Sequence, residues 1–309
     1  MTAGSGQNGA GNLRYEVQDL FPAFCAAWKE LTTEDPQAQL DVWARSLGSC
    51  PGLLEKQISC YSDEGLDWRE VVREHVLPFL SQRLPAMREA RAALHRVIGP
   101  VCLRAQQQLG LDFSVLFVIY VGMGCGAGWA TQLRGRPACL LGLENIAERE
   151  WQEEDSLRGL LAHELGHLLH DQWRRRVGRV GIEGCQDPWW QLYVEGFAQR
   201  CEHLIVGQES WHQARGQPGW LQWCRENLAQ LAGQFLQRAS EGEVREFFGS
   251  WYEIEGWRQT GYFLGHELIR AWETKLPLRE IGVLPGEEVR ERVQATMGRW
   301  ARGTKSGGP

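Results

Sequence analysis

The stretch Leu157–Gln172, LRGLLAHELGHLLHDQ, contains the residues with the clearest capacity for chemistry. Within it, His163 and His167 stand four positions apart, and Glu164 directly follows the first histidine. Positions i and i+4 lie on one face of an α-helix, so the two imidazoles can bind one metal ion from the same side. Glu164 can then reach a water on that metal and act as a general base. The pattern therefore predicts metal-assisted hydrolysis.

The residues around this motif favour the helix that it requires. Asp155 and Ser156 are good N-cap residues, and the leucines between positions 157 and 169 recur at helical spacing. The run Arg174 to Arg176 follows, where cations interact favourably with the helix dipole. A helix over 155–175 is therefore predicted, with its histidines facing a cleft. The alternative is a core helix in which the two histidines are incidental.

A third ligand would strengthen the metal interpretation, because a catalytic zinc usually has three protein ligands and one open position for water. Three ligands from two helical turns would be strained, which disfavours His170. Glu183 and Asp187 fall in a predicted loop, whereas Glu195 falls in a second predicted helix, 189–206, that can pack beside the first. The full set of candidates after His167 is His170, Asp171, Glu183, Asp187, Glu195, Glu202 and His203.

The segment Trp189–Ala198, WWQLYVEGFA, resembles the third-ligand helix of the gluzincin aminopeptidases, in which H-E-L-x-H is followed by N-E-G-F-A. The resemblance implies a zincin-like fold of the α+β class and one zinc ion bound by His163, His167 and Glu195. Two features depart from the family: Val194 replaces the asparagine, and the interval between the two motifs is longer. The layout, with the late segment GYFLGHELIRAW, also resembles uncharacterised predicted zinc-dependent proteases of bacteria.

The same resemblance implies two further roles. Gluzincins use a downstream tyrosine or histidine to stabilise the oxyanion, which makes Tyr262 the expected catalytic partner of Glu164 and His266 the reserve. The stretch Gly142–Asn145 resembles the G-x-M-E-N strand that holds a free amino terminus, so Glu144 would do the same in an aminopeptidase. The alternatives are a core tyrosine on a helix and an edge strand that ends in a turn.

A small sheet is predicted directly before the motif helix. Residues 113–121 form a β-branched and aromatic run, 138–146 form a second apolar run, and the turn at 134–137 between them suggests a hairpin. The predicted sheet is antiparallel or mixed, and the suggested hairpin favours a mostly antiparallel one. Glycines at 122, 124, 126 and 128 would share one face if extended, and would form a cleft wall along which a peptide lies. A flexible glycine-rich loop is the alternative.

The remaining chain organises around these elements. The predicted regions are a disordered leader over 1–12, a helical region over 13–110, a catalytic region over 111–300 and a disordered tail over 301–309. Within the catalytic region lie the sheet (111–150), the two ligand helices (155–175 and 189–206) and C-terminal helices (220–300). Prolines at 22, 51, 78, 85 and 100 are expected to interrupt the N-terminal helices.

Composition limits the partners and the compartment. The net charge of −6 argues against nucleic acid, and nine cysteines without C-x-x-C pairs fit free thiols in a reducing compartment. The uncharged run 113–133 is long enough to cross a bilayer, but its composition favours a buried strand. No stable membrane span and no signal peptide are expected, which predicts a cytoplasmic protein.

The sequence thus predicts a zinc metallopeptidase acting on a peptide or protein, and the resemblance at Gly142–Asn145 adds an aminopeptidase as its expected form. The alternatives are a non-catalytic zinc-binding module with a gluzincin-like fold, structural or partner-binding, and a zinc hydrolase with another substrate. A fourth protein ligand, His170 or Glu202, would favour the structural module, because a catalytic site keeps that position open.

Overall fold

The computed structural model describes residues 15–62, 65–183, 187–249 and 251–303. The predicted leader lies outside these ranges, as does the predicted tail beyond residue 303. The chain divides into two compact units, Met1–Glu164 and Leu165–Pro309.

The elements of the first unit are β1 (Tyr15–Asp19), α1 (Phe21–Lys29), α2 (Pro36–Ser46), α3 (Leu53–Ser62), α4 (Trp68–His75), α5 (Leu77–Leu109), β2 (Val115–Tyr120), β3 (Gly128–Leu133), β4 (Arg136–Gly142), α6 (Leu143–Glu148) and the beginning of α7 (Glu154–Arg176). Helix α7 ends in the second unit, whose other helices are α8 (Pro188–Val206), α9 (Trp220–Glu226), α10 (Leu228–Glu241), α11 (Arg245–Phe248), α12 (Thr260–Glu273), α13 (Leu278–Ile281) and α14 (Gly286–Ala301). The described chain is mostly helical with one small sheet, which agrees with the predicted α+β class.

The sheet of the first unit has four strands in the order β1-β2-β4-β3. Strand β2 pairs in parallel with β1 and β4, and β3 pairs antiparallel with β4. The sheet is therefore mixed, and the expectation of a mostly antiparallel sheet is wrong. All residues of β2 are buried, which accounts for its continuous apolar sequence VLFVIY.

The predicted turn within 134–137 is present and makes a hairpin, but the strand before it is β3 and not the predicted strand at 113–121. It joins β3 to β4, with Arg134 and Gly135 both in the left-handed region at φ 53° and 70°. The second predicted strand, 138–146, is correct only as far as Gly142, because the chain continues as helix α6. Strand β3 was missed, since its sequence GWATQL lacks a strong β pattern.

Two local expectations for the N-terminal region are also wrong. Residues 15–19 form strand β1 where a helix was predicted, because pairing with the buried strand β2 overrides the local helical pattern. Helix α5 continues through Pro85 and Pro100, where breaks were expected. Buried side chains on both sides of each proline, among them Leu80, Met87 and Val101, keep the helix packed along its length.

The residues of the predicted uncharged run form β2, a loop and all of β3. No described helix has both the length and the hydropathy that a bilayer crossing requires. The eight cysteines in the described ranges are free thiols.

Two glycines allow helices α8 and α12 to cross at very short range in the second unit. A Cβ added to Gly196 would overlap the backbone of Gly265, and one added to Gly265 would lie 2.7 Å from the carbonyl oxygen of Leu192. Asp187 is the N-cap of helix α8, and its carboxylate accepts a hydrogen bond from Trp189 N at 2.9 Å. The crossing and the cap fix the helix that carries Glu195.

Gly196→Ala should lower the free energy of unfolding by about 3 kcal/mol, because the added methyl group meets backbone atoms that cannot rotate away. The matched control is Gly233→Ala in α10, whose Cβ would meet only the Cβ of Ala301, at 3.7 Å. That change should be neutral or stabilising by up to about 1 kcal/mol. Urea unfolding followed by circular dichroism compares the two, and equal stabilities would contradict the close crossing.

Candidate metal centre

Helix α7 carries both histidines of the motif, and both are buried. One ligand atom each from His163, His167 and Glu195 lie within 4.8 Å of one another. His167 Nε2 and Glu195 Oε2 are 3.4 Å apart. In the part of the chain that the structure describes, this is the one group of three or more such residues that can hold a metal ion. Two imidazole nitrogens and a carboxylate oxygen form a donor set found in catalytic zinc sites.

The two residues that would complete a four-ligand site are occupied elsewhere. His170 Nε2 lies 3.0 Å from the hydroxyl of Tyr193. Glu202 accepts a hydrogen bond from Ser210 Oγ at 2.7 Å and pairs with His212 Nδ1 at 2.8 Å. Neither belongs to the ligand group, which is the arrangement expected when a coordination position stays open.

Other candidate ligands also have structural contacts. Asp171 accepts hydrogen bonds from Arg175 Nε at 2.6 Å and from Ile182 N at 3.1 Å. Asp187 caps α8. His203 packs against His266, with ring centroids 4.1 Å apart. Of the candidates considered from the sequence, Glu195 is the residue that joins the two histidines in one group.

Glu164 is held in place by the edge strand of the sheet. Its Oε2 accepts a hydrogen bond from Ala130 N at 2.8 Å. A Cβ at Gly128 would lie 2.6 Å from Oε1 of the same carboxylate, so only glycine leaves room for it there. Glu164 follows His163 in the chain but is outside the ligand group. The helix thus presents a carboxylate beside the ligands without using it as one.

Strand β3 rather than β4 forms the wall beside Glu164. Ala130 N–H points away from β4, because it donates to Glu164. Backbone groups alternate in direction along an antiparallel strand, so Gly128 and Gln132 present theirs on the same side. Strand β4, which was expected to form a cleft wall, lies between β2 and β3, so both of its backbone edges are paired within the sheet.

Residues 122–127 of the glycine-rich segment form a loop with turns that is held by hydrogen bonds, whereas Gly128 begins the extended strand β3. Glu144 accepts hydrogen bonds from Gly122 N at 2.6 Å and Gly124 N at 2.7 Å, and Asn145 Oδ1 accepts one from Gly126 N at 3.1 Å. Gly124 and Gly126 have φ of 94° and 111°, which side chains rarely adopt. Glu144 is fully buried, so the basis for its role in binding a substrate amine is removed.

The structure places the two oxyanion candidates on α12. Tyr262 is half-buried, and its ring packs edge-on against Phe248 with centroids 5.5 Å apart. The buried ring of His266 lies against His203, which is two helical turns beyond Glu195 on α8. The assignment of oxyanion stabilisation to Tyr262 stays a prediction.

Sequence reasoning missed the contribution of strand β3. A backbone N–H has no sequence signature, so the bond from Ala130 to Glu164 could not be predicted. Gly128 offered a usable signal, because a glycine inside a strand often marks a close approach by another group.

Compared with protein-family models, with curated proteins and with solved structures, the chain matches none of them. The function therefore has to be argued from the residues and their geometry.

Burial raises the pKa of Glu144 from 4.5 to about 7, partly offset by the hydrogen bonds from Gly124 and Gly122. The folded protein then holds this proton more tightly than the unfolded chain does. The stability contributed by Glu144 is full below pH 4.5 and is lost as the pH rises towards 7.

Wild type should therefore lose stability relative to Glu144→Gln over this window, by at most about 1.4 kcal/mol per pH unit. Urea unfolding of both proteins at several pH values measures the difference, in which groups common to both cancel. Parallel curves for the two proteins would show that Glu144 does not titrate in this range.

Proposed function

We propose that the protein is a zinc-dependent metallopeptidase in which His163, His167 and Glu195 hold zinc and Glu164 is the general base. The observation that supports this most directly is the convergence of the three ligand atoms. Glu164 adds the catalytic element, because it directly follows His163 and is kept in place by strand β3.

The chemistry divides between the metal and the chain. Zinc, when bound, would act as a Lewis acid that lowers the pKa of its bound water and polarises the substrate carbonyl group. Glu164 takes the proton of the attacking water through one carboxylate oxygen, while Ala130 N–H holds the other oxygen. The same carboxyl then delivers the proton to the leaving amine. Tyr262 is proposed to donate a hydrogen bond to the oxyanion.

The edge of β3 supports a peptide as the substrate. The carbonyl group of Ala130 and the backbone groups of Gly128 face away from β4 and can pair with an extended chain. An added strand needs no particular side chains for its main-chain hydrogen bonds. The Ala130 carbonyl belongs to the residue whose N–H binds Glu164. A peptide paired along β3 would therefore have its peptide bonds close to the carboxylate of Glu164. A zinc hydrolase for a small compact substrate would gain nothing from such an edge.

The rival function is a non-catalytic zinc module, structural or partner-binding. A structural zinc site usually has four protein ligands, and here the fourth candidates His170 and Glu202 have other hydrogen-bond partners. A structural site also has no use for a carboxylate held beside it. Both observations favour the catalytic function.

Purified protein should contain about one zinc per chain, as measured by elemental analysis. Glu195→Ala should lose most of this zinc, because two imidazoles on one helix bind the ion weakly without the carboxylate. The control is Glu183→Ala, which removes an acidic residue from the loop before α8 and should leave the zinc content unchanged. Retention of zinc by Glu195→Ala together with its loss in Glu183→Ala would mean that the third ligand is misassigned.

Glu164→Gln should reduce peptide hydrolysis by a factor on the order of a hundred or more, because the amide cannot accept the proton. Its oxygen can still accept the hydrogen bond from Ala130, so zinc content and melting temperature should stay close to wild type. The assay is a mixed peptide library read by mass spectrometry, with the exposed-site variant Glu243→Gln as the control.

Unchanged cleavage by Glu164→Gln would point to a contaminant or another site. Loss of zinc would make Glu164 a ligand or a structural residue. Zinc-loaded wild type that cleaves nothing in the library would favour the non-catalytic module.

A further inference from the structure

We infer that a buried hydrogen-bond chain from His170 through Tyr193 to the carbonyl of Ile281 positions the helix of Glu195 against the helix of His167. The inference rests on the proposed function for the identity of the metal. It assigns His170 and Tyr193 as positioning residues that set the geometry of the ligand group.

The direction of the hydrogen bonds is fixed by their chemistry. Tyr193 O–H donates to the Ile281 carbonyl oxygen at 2.6 Å, because a carbonyl can only accept. The Tyr193 oxygen therefore accepts from His170 Nε2, which lies 3.0 Å away. His170 must carry its proton on Nε2, and this nitrogen has no lone pair to offer a metal. The Nε2–H group of His170 is thereby directed to Tyr193 on α8.

The contacts of His170 bracket Glu195 along α8. Tyr193 comes two residues before Glu195, and Phe197 comes two residues after it. The His170 ring lies edge-on to Tyr193 at 4.9 Å and packs on the Phe197 ring at 4.1 Å, both between centroids. His170 follows His167 by three residues on α7, so the two side chains lie on neighbouring parts of the same helix face. One side chain thus fixes the spacing of the two segments that supply ligands.

The surroundings make this arrangement costly to disturb. His170 and Tyr193 are both fully buried. Burial, with a smaller effect of Arg174, keeps the pKa of His170 well below its ordinary value, so the ring stays neutral. Arg174 is itself anchored, since its Nε donates to Val180 O and its Nη1 to Leu284 O, both at 2.9 Å. Buried polar groups of this kind are costly to leave unsatisfied, which favours a single arrangement.

The test is Tyr193→Phe, which keeps the ring contacts and removes only the hydroxyl. Substitution of a residue that orients metal ligands typically lowers metal affinity by about 10- to 100-fold. We expect zinc affinity, measured by competition with a chelator, to fall by about tenfold. The visible absorption bands of the Co²⁺-substituted protein should shift, since they report ligand geometry. Tyr252→Phe, at an exposed position in the same unit, should leave both measurements unchanged.

A second pair of variants keeps the test informative if Tyr193→Phe folds poorly. His170→Gln retains an N–H donor for Tyr193 and should preserve most of the affinity, whereas His170→Leu should lose as much as Tyr193→Phe. A fall in thermal stability with unchanged zinc affinity and unchanged Co²⁺ bands would overturn the positioning role, because it would show packing alone. Wild type that binds neither zinc nor Co²⁺ would overturn the proposed function, and the positioning role with it.

Discussion

The close packing of α7 on α8 is the constraint on which the candidate site depends. A carboxylate can join two histidines of a neighbouring helix only when the helix backbones approach closely. Gly166, inside the motif, allows this, because a Cβ there would lie 2.7 Å from the Cβ of Cys201 and 3.0 Å from the Cα of Ala198. The motif residue Gly166 therefore has a packing role. Larger residues at this position would move Glu195 away from His167.

Buried polar groups account for much of the remaining organisation. In the first unit, Glu144 binds the loop that leads to β3, and β3 in turn binds Glu164. In the second unit, Glu202 is bound by Ser210 and His212. Each buried carboxylate has donors, as buried charge requires. Glu195 differs from these buried acids in its exposure, because its side chain is about one-fifth exposed, at 21%. Its exposure suits a ligand that must meet a metal and a substrate.

The sequence predicted the parts of the structure that depend on local pattern. The bounds of α7 and α8 were predicted to within one residue at each end from their apolar spacing. The predicted N-cap of α7 is wrong, because Asp155 and Ser156 lie inside the helix, which begins at Glu154. The ligand group followed from spacing and from the likeness of WWQLYVEGFA to a known motif. Strand β1, helix α6 and the uninterrupted α5 were not predicted, because pairing and packing partners distant in sequence decide them. Glu144 was misread for the same reason: its partners, Gly122 and Gly124, belong to a loop about twenty residues earlier.

The interval between His167 and Glu195 is longer than in the gluzincin pattern that the sequence resembles, and the contacts of the described part of the connecting segment show how that segment is anchored. Asp171 binds Ile182 N, and Arg174 binds Val180 O, so the chain after α7 is fastened back onto that helix. Asp187 then caps the N-terminus of α8 by accepting a hydrogen bond from Trp189 N. A connection anchored at both ends can vary in length between the anchors at small entropic cost, since loop closure depends only logarithmically on length. The position of Glu195 is set by the anchors and by the packing of α8, and the number of residues in the loop has little influence on it.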